Sequence, residues 1–380
     1  MEEKRYYFDW AASAPLTETD ACCLFGNPSS LHSEGRAAKQ ALEDARQRCA
    51  AVLNVPPETL YFTSGGTEAN SIALFSSLIR KGRVISSLAE HSSVREGMET
   101  LEKMGRPVGS IAVDPAGRVN AGNFRKALEK YGDVRFAFCM AVNNETGAIT
   151  DIASLKNIIR EFSRPPVHLH CDLVQAVGKI PVDISNWEID SASLSAHKIS
   201  GPRGIGLLYL RRPGGIEVFY KGGGQENGVR GGTENIHGAL AFANCLEKYA
   251  VSGDNGQPAI QAQAKARWKK LISSLSAIGR CTIIPRERTA DDDGFSPYIL
   301  QAAFNDIPGE VMARALDDLG FAVSTGSACS SSSPERPVLV AMGVEEKLRI
   351  EGIRISQGWS TTDEEIDLLL DAITEVLKFL

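Results

Sequence analysis

The chain has 380 residues, 43% of them hydrophobic and 23% charged, with a formal net charge of -6. At ~150 residues per domain this length predicts two domains, and the composition is that of a globular protein rather than a disordered or fibrous one. The acidic balance argues against a nucleic-acid partner, Met1–Asp9 is too polar to be a signal peptide, no apolar run reaches the ~20 residues of a membrane span, and eight cysteines are too sparse here for a disulfide framework.

In chain order, Leu60–Ser64 reads as a strand running into a helix over Thr67–Leu78. Further short apolar strands are predicted at Arg83–Ser87, Ser110–Val113, Val134–Val142, His168–Asp172, Ser191–Ser195 and Gly206–Leu210. Helix-period stretches at Val94–Met104, Ala121–Tyr131 and Ile152–Phe162 separate several of them. This alternation predicts a mostly parallel sheet covered on both faces, with binding groups at the C-terminal ends of its strands. After Tyr249 the pattern changes. Val251–Pro258 is a polar, Gly/Pro-rich break, followed by a long helical stretch and strands around Cys281–Ile284 and Ile299–Phe304. Thr361–Leu380 is an amphipathic helix with Ile366, Leu369, Leu370, Ile373 and Leu377 at helical spacing and Thr361 or Thr362 as its N-cap. This region reads as a second, smaller α/β domain.

Six constellations carry candidate chemistry. Thr63–Asn70 places two glycines and a threonine between a strand and a helix; free N–H groups there suit an anion, although such turns are also made for tightness alone. His168–Gln175 ends a strand in Asp172, with Gln175 three residues on. The nearby histidines invite a zinc reading, but His168 and His170 share one face while Cys171 points to the other, and no metal motif supports it. Ser195, His197 and Lys198 follow a strand and precede a Gly-Pro turn; a lysine held in a pocket can lose its proton and form a Schiff base, whereas an exposed lysine is the ordinary alternative. Gly222–Glu226 and Val229–Asn235 place glycines around Arg230 and Thr233, which fits an anion or a plain flexible loop. Cys329 lies in a small-residue polar loop, where a thiol is either reactive or incidental. Arg354 stands among strand-like apolar residues and calls for a partner, either a substrate carboxylate or a core acid.

Taken together, FGNPSSLH, FTSGGTEAN, NNETG, HCDLVQAVGK, SLSAHKISGPRGIG, GGGQE, RGGTEN, GSACSS and IRIS resemble, in this order, the motifs of the cysteine desulfurases. These are pyridoxal-phosphate enzymes of the class V aminotransferase-like group, and the loop around Cys329 is similar to the branch with the longer catalytic loop. The resemblance implies an aspartate-aminotransferase-like fold (PLP-dependent transferase fold type I). Its large cofactor-binding domain, with a mostly parallel seven-stranded sheet, would span residues 13–250, and residues 1–12 and 251–380 would form the small domain carrying the cysteine loop. Lys198 would hold the cofactor and shuttle the α-proton, His91 would stack on its ring, Asp172 would pair with the ring nitrogen and Gln175 with the phenolic oxygen. Gly66, Thr67, Ser195 and His197 would cradle the phosphate, and Thr233 would reach the phosphate of a partner subunit in a homodimer. Asn144 and Arg354 would orient the substrate carboxylate, and Cys329 would take sulfur from L-cysteine as a persulfide, leaving alanine.

The implied function is L-cysteine desulfuration for iron–sulfur cluster or other sulfur-transfer pathways, with a sulfur-acceptor protein as partner and the cytoplasm as location. Alternatives on the same scaffold are a selenocysteine lyase, a cystine or other C–S lyase, or a cofactor-binding dimeric scaffold. The chain departs from the family pattern in several places. It reads Asp9-Trp10-Ala11-Ala12-Ser13 where Asp-Asn-Asn-Ala-Thr is usual, and Pro15–Phe25 is shortened. Pro334-Glu335-Arg336-Pro337 follows the cysteine loop, and Gln357 and Trp359 replace a leucine and an arginine. Of the other thiols, Cys49, Cys139 and Cys245 read as small core hydrophobes, Cys171 as facing away from the ring side and Cys281 as opening a strand; Cys22 and Cys23 have no assignment.

Overall fold

The computed structural model describes residues 5–16, 26–162, 166–219, 221–250, 258–326 and 336–380. Cys22, Cys23, Cys329, most of the shortened Pro15–Phe25 segment and most of the break at 251–258 lie outside them.

Twelve strands occur among the described residues: β1 (Tyr6–Tyr7), β2 (Leu60–Thr63), β3 (Arg83–Ser87), β4 (Val108–Ile111), β5 (Val134–Met140), β6 (His168–Asp172), β7 (Ser191–Ser195), β8 (Gly206–Leu210), β9 (Cys281–Ile284), β10 (Ile299–Phe304), β11 (Phe321–Ala322) and β12 (Gly352–Ser356). The large sheet has seven strands in the order β2-β8-β7-β6-β5-β3-β4. Neighbours from β7 to β4 are parallel, whereas β8 is antiparallel to both β2 and β7. Two antiparallel steps restore the direction, so β2 ends at the same edge as β7, β6, β5 and β3. That shared C-terminal edge is where a ligand site forms in such sheets.

Apart from the edge strand β4, the strands of this sheet are mostly buried and supply one extensive apolar cluster, including Phe62, Ile85, Ala137, Leu169, Ala192, Leu194 and Leu207. Helices Gly66–Phe75 and Ser92–Lys103 pack on the opposite face around Phe136, Phe138 and Leu208. A three-stranded antiparallel sheet, β12-β10-β9, and the short parallel pair β1-β11 accompany a separate core. There Phe8, Leu300, Phe304, Ile353 and Ile355 meet Trp268 and Leu275 of helix Pro258–Ala277 and Ile366, Leu369 and Ile373 of helix Asp363–Phe379. Thr362 and Glu365 close a reciprocal capping box at the start of that last helix.

Several sequence-based boundaries are corrected, the strand expected at Leu60–Ser64 ending at Thr63 and the helix expected at Val94–Met104 spanning Ser92–Lys103. The strand expected at Ser110–Val113 is Val108–Ile111, because β3 pairs with it only from Val84–Val108 to Ser87–Ile111 and leaves nothing opposite Val113. The strand expected to reach Val142 stops at Met140, since Val142 turns back to bridge Ile149. The helix expected at Thr67–Leu78 covers Gly66–Phe75 and tightens into a 3-10 turn over Ser76–Ile79.

Candidate active site

A cavity of about 180 Å³ opens at the C-terminal edge of the large sheet. Gly66 and Thr67 reach it from the turn after β2, His91 from the turn after β3, Asn144 from the segment after β5, Asp172 and Gln175 from the end of β6, and Ser195, His197 and Lys198 from the end of β7. Arg354 enters from β12, so the small sheet closes the cavity on one side. Thr233 is exposed and outside this cavity, and Cys329 lies outside the described residues.

Each wall has a physical reason. Helix Gly66–Phe75 begins at the cavity, and its first backbone N–H groups have no intrahelical acceptor. A Cβ on Gly66 would stand 2.6 Å from Val174 Cγ2, so only glycine lets this turn pack against the segment after Asp172. Lys198 sits in a 3-10 turn after β7, and its Nζ donates to the carbonyls of Ala11 at 2.5 Å and Ala12 at 2.8 Å. It is therefore held, unlike an exposed surface lysine. Gln175 Nε2 donates to the same Ala11 carbonyl at 2.9 Å, which turns its amide nitrogen toward the cavity wall that Lys198 shares. On the other side Lys179 Nζ donates to Gln175 Oε1. Burial pushes the Lys179 amine well below the lysine range, with Lys198 and Arg354 adding to the effect.

Asp172 accepts from the Val174 amide at 2.9 Å and from Asn70 Nδ2 at 2.8 Å. Burial lowers the pKa of His91 against the attraction of Asp172. Burial and then the Lys198 charge push His197 down to about 4, and its Nδ1 lies 3.3 Å from Ser13 Oγ. Glu90, next to His91, accepts from Ser87 Oγ at 2.5 Å and from the Met140 amide at 2.8 Å. Burial, reinforced by Asp172 and opposed by these bonds, pushes its carboxyl up to about 8. Arg354 realises its core-acid alternative in part: Nη2 donates to Asp9 at 2.8 Å and Nη1 to the Asn144 carbonyl at 3.0 Å. Its Nε, and Oδ1 of Asn144, are buried without a partner among the described residues. The unsatisfied Arg354 Nε–H suits an acceptor such as a carboxylate, and the unsatisfied Asn144 oxygen suits a donor, so together they form a receptor for a small polar ligand that carries both.

The five thiols among the described residues are not at the site. Cys49, Cys139, Cys171 and Cys245 are buried in the large core, and Cys281 packs against the smaller one. Burial pushes Cys49 and Cys281 up to about 12 and Cys139 and Cys171 well above the usual thiol range. His168 and His170 both bond to Ser191 Oγ, and no metal-holding group of histidine, cysteine and acids occurs among the described residues. Sequence reasoning left Asn70, Ser93 and Met140 and the backbone of Ala11 and Ala12 unassigned as cavity lining. Asn70 had a signal: it stands four residues after Gly66 on one helix, which puts both on one face.

The aminotransferase class-V family profile matches residues 6–369. The chain is 35% identical to the cysteine desulfurase IscS of Dictyoglomus turgidum over 394 aligned positions, covering 99% of this chain and 95% of that protein. It is 32% identical to the cysteine desulfurase IscS of Methanosarcina thermophila, covering 99% and 93%. A solved NifS-like protein superposes with a TM-score of 0.87 at 31% identity, covering 99% of this chain and all of that one.

Proposed function

The chain belongs to the aminotransferase class-V family, and on that premise we propose that it is a cysteine desulfurase, converting L-cysteine to L-alanine and passing the sulfur on through Cys329. The fold is the aspartate-aminotransferase-like α/β fold, and the protein depends on pyridoxal phosphate. The observation that carries the reading is one cavity lined by Lys198, Asp172, Gln175, His91 and a bare helix N-terminus at Gly66-Thr67. That donor set fits the group: an amine for an aldehyde, a carboxylate for a pyridinium, an amide for a phenolic oxygen and N–H groups for a phosphate.

When bound, the cofactor supplies an electron sink for the carbon bearing the substrate amine. Lys198 would hold it, His91 would cover its ring, Asp172 would face its ring nitrogen and Gln175 its phenolic oxygen. Gly66, Thr67, Ser195 and His197 would bind its phosphate. Thr233, exposed on the free chain, would complete the phosphate site of a second copy in a homodimer. Arg354 Nε and the Asn144 amide would orient the substrate carboxylate and exclude water from it. Lys198 Nζ, once free, would move the α-proton. Cys329 Sγ would form an S–S bond as the substrate C–S bond breaks, its electron pair staying on carbon, where a proton completes alanine. The smaller apolar cluster, drawn from Phe8 and residues 268–376 alone, supports the division into a large domain, 13–250, and a small one, 1–12 with 251–380, with Ala11, Ala264, Tyr298 and Ile299 joining the larger cluster across that boundary. The persulfide, an acceptor protein, iron–sulfur cluster assembly as its use and a cytoplasmic location complete the proposal; no described helix is long and apolar enough to cross a membrane.

The test is alanine and sulfide release from L-cysteine with a reductant. Wild-type protein is expected to be yellow and active, Cys329→Ala yellow and inactive, and Lys198→Ala unable to hold the cofactor covalently. Selenocysteine turnover that survives Cys329→Ala while wild-type cysteine turnover is absent would assign the selenocysteine lyase instead. Cofactor binding without turnover of either substrate would leave the scaffold.

A further inference from the structure

Behind Asp172 lies a chain of buried polar side chains that the reaction above does not use. His168 Nε2 is 2.7 Å from Ser191 Oγ, and Ser191 Oγ is 2.7 Å from His170 Nδ1. His170 Nε2 is 2.9 Å from Asn70 Oδ1. Asn70 Nδ2 reaches Asp172 Oδ2 at 2.8 Å and Ser93 Oγ at 2.9 Å, and Ser93 Oγ is 2.9 Å from His91 Nδ1. These residues come from β6, β7, the helix Gly66–Phe75 and the start of the helix Ser92–Lys103, and His170, Ser191 and Asn70 are at most 1% exposed.

Proton bookkeeping gives this chain a direction. The Ser93 backbone N–H donates to His91 Nδ1 at 3.1 Å, so that nitrogen carries a lone pair. Ser93 O–H donates to it as well, and Ser93 Oγ accepts from Asn70. The two hydrogens of the Asn70 amide are thereby used on Ser93 and Asp172, and its oxygen can only accept. His170 Nε2 must therefore donate. Burial pushes His170 down to about 3, so it is neutral and its Nδ1 accepts the single proton of Ser191. Ser191 then accepts from His168 Nε2–H; burial likewise pushes His168 down to about 4.

We propose that His170 and Asn70 are positioning residues at the end of a one-way donor relay, which holds Asp172 as an acceptor aimed at the cavity and fixes His91 with its proton on Nε2. His91 thus offers the cavity a hydrogen-bond donor rather than a lone pair. The role of the relay rests on the reading of Asp172 as the partner of the cofactor ring nitrogen.

Nitrogen-15 spectra of the cofactor-loaded protein with labelled histidine test the direction, with the signals assigned by His91→Gln, His168→Gln and His170→Gln. Protons on Nε2 of His91, His168 and His170 are expected; a proton on Nδ1 of His91 or His170 overturns the relay. His170→Phe removes the donor to Asn70, and loss of that buried neutral hydrogen bond loosens the hold on Asp172, weakens cofactor retention about fivefold and shifts its visible absorbance band. His170→Gln restores the donor and both readouts. Wild-type retention and spectrum in a folded His170→Phe protein refute the positioning role, and if that variant does not fold, the tautomers decide alone. Asp172→Asn separates the two ideas: an unchanged spectrum there refutes the Asp172 reading itself, whereas a changed one beside an indifferent His170→Phe refutes only the relay.

Discussion

Glu226, in the Gly-rich segment that leads to Thr233, should be a main fastening of that segment to the large sheet. Its carboxylate takes both Nη atoms of Arg46 at 2.8 Å and the Phe62 backbone N–H at 2.7 Å. The side chains are 1% and 9% exposed, and Arg46 also donates to the Leu60 carbonyl. Glu226→Ala would leave a buried guanidinium with only the half-exposed Glu43 and an N–H of β2 without an acceptor. Breaking a buried pair from one side costs about 3–5 kcal/mol. Arg46→Met with Glu226→Leu removes both charges and should recover a large part of that loss, because neither ion is then stranded. Urea unfolding of wild type, both single variants and the double variant gives the coupling directly. Losses in the double variant equal to the sum of the singles would refute the reasoning, since the pair would then contribute no shared energy.

The Glu90 carboxyl, at about 8 when folded and near 4.3 when unfolded, binds an extra proton in the folded state between those values. Stability should therefore fall as pH rises through that window, by at most about 1.4 kcal/mol per pH unit; comparing the pH dependence of unfolding in wild type and Glu90→Gln checks it, and identical profiles count against it. His168, His170 and His197 titrate near 4, 3 and 4 when folded, so the unfolded chain gains protons first as pH drops below ~6.5 and stability declines toward pH 4; a His168→Gln variant should show a shallower acid limb. Gly66→Ala pushes a methyl into Val174 and should weaken cofactor binding at least several-fold, read by absorbance titration, and also lower the melting temperature of the cofactor-free protein, since overpacking costs about 1–3 kcal/mol.

The alternating strands and helices of the large sheet were readable because its strands are short and, apart from the edge strand β4, mostly buried, and six of its predicted elements, such as Arg83–Ser87 and Ala121–Tyr131, keep their bounds. Most of the site residues were readable because they follow strands at the same sheet edge, and Arg354, inside β12 of the small sheet, because a charge stands out among apolar neighbours. The contacts that hold them were not, since backbone carbonyls such as those of Ala11 and Ala12 leave no mark in composition or spacing. The departures at Trp10, Gln357 and Trp359 could be seen in sequence but not understood there. In the structure they meet: Trp10 lies edge-on to Trp359 at 5.6 Å, and Trp359 stacks on Tyr249 at 4.4 Å. A Cβ on the intervening Gly358 would collide with the Trp10 ring at 2.0 Å. Gln357 takes Arg267 Nε at 3.0 Å and donates to the carbonyls of Ala264 and Pro297, tying helix Pro258–Ala277 to the small sheet. What looked like scattered exceptions is one repacked corner.

The bond from Arg354 to Asp9 joins residues 345 positions apart, and Ala11 N–H donates to Ser356 Oγ across the same distance. The carbonyls that hold Lys198 belong to the turn that follows β1. On a ribosome, at ~5–20 residues per second, the amine would be made long before the strand that anchors its acceptors. A growing chain would thus have no finished cavity until β12 has emerged, and the cofactor's arrival becomes a late, post-synthetic event. Loss of either end of the polypeptide should then act on the same step.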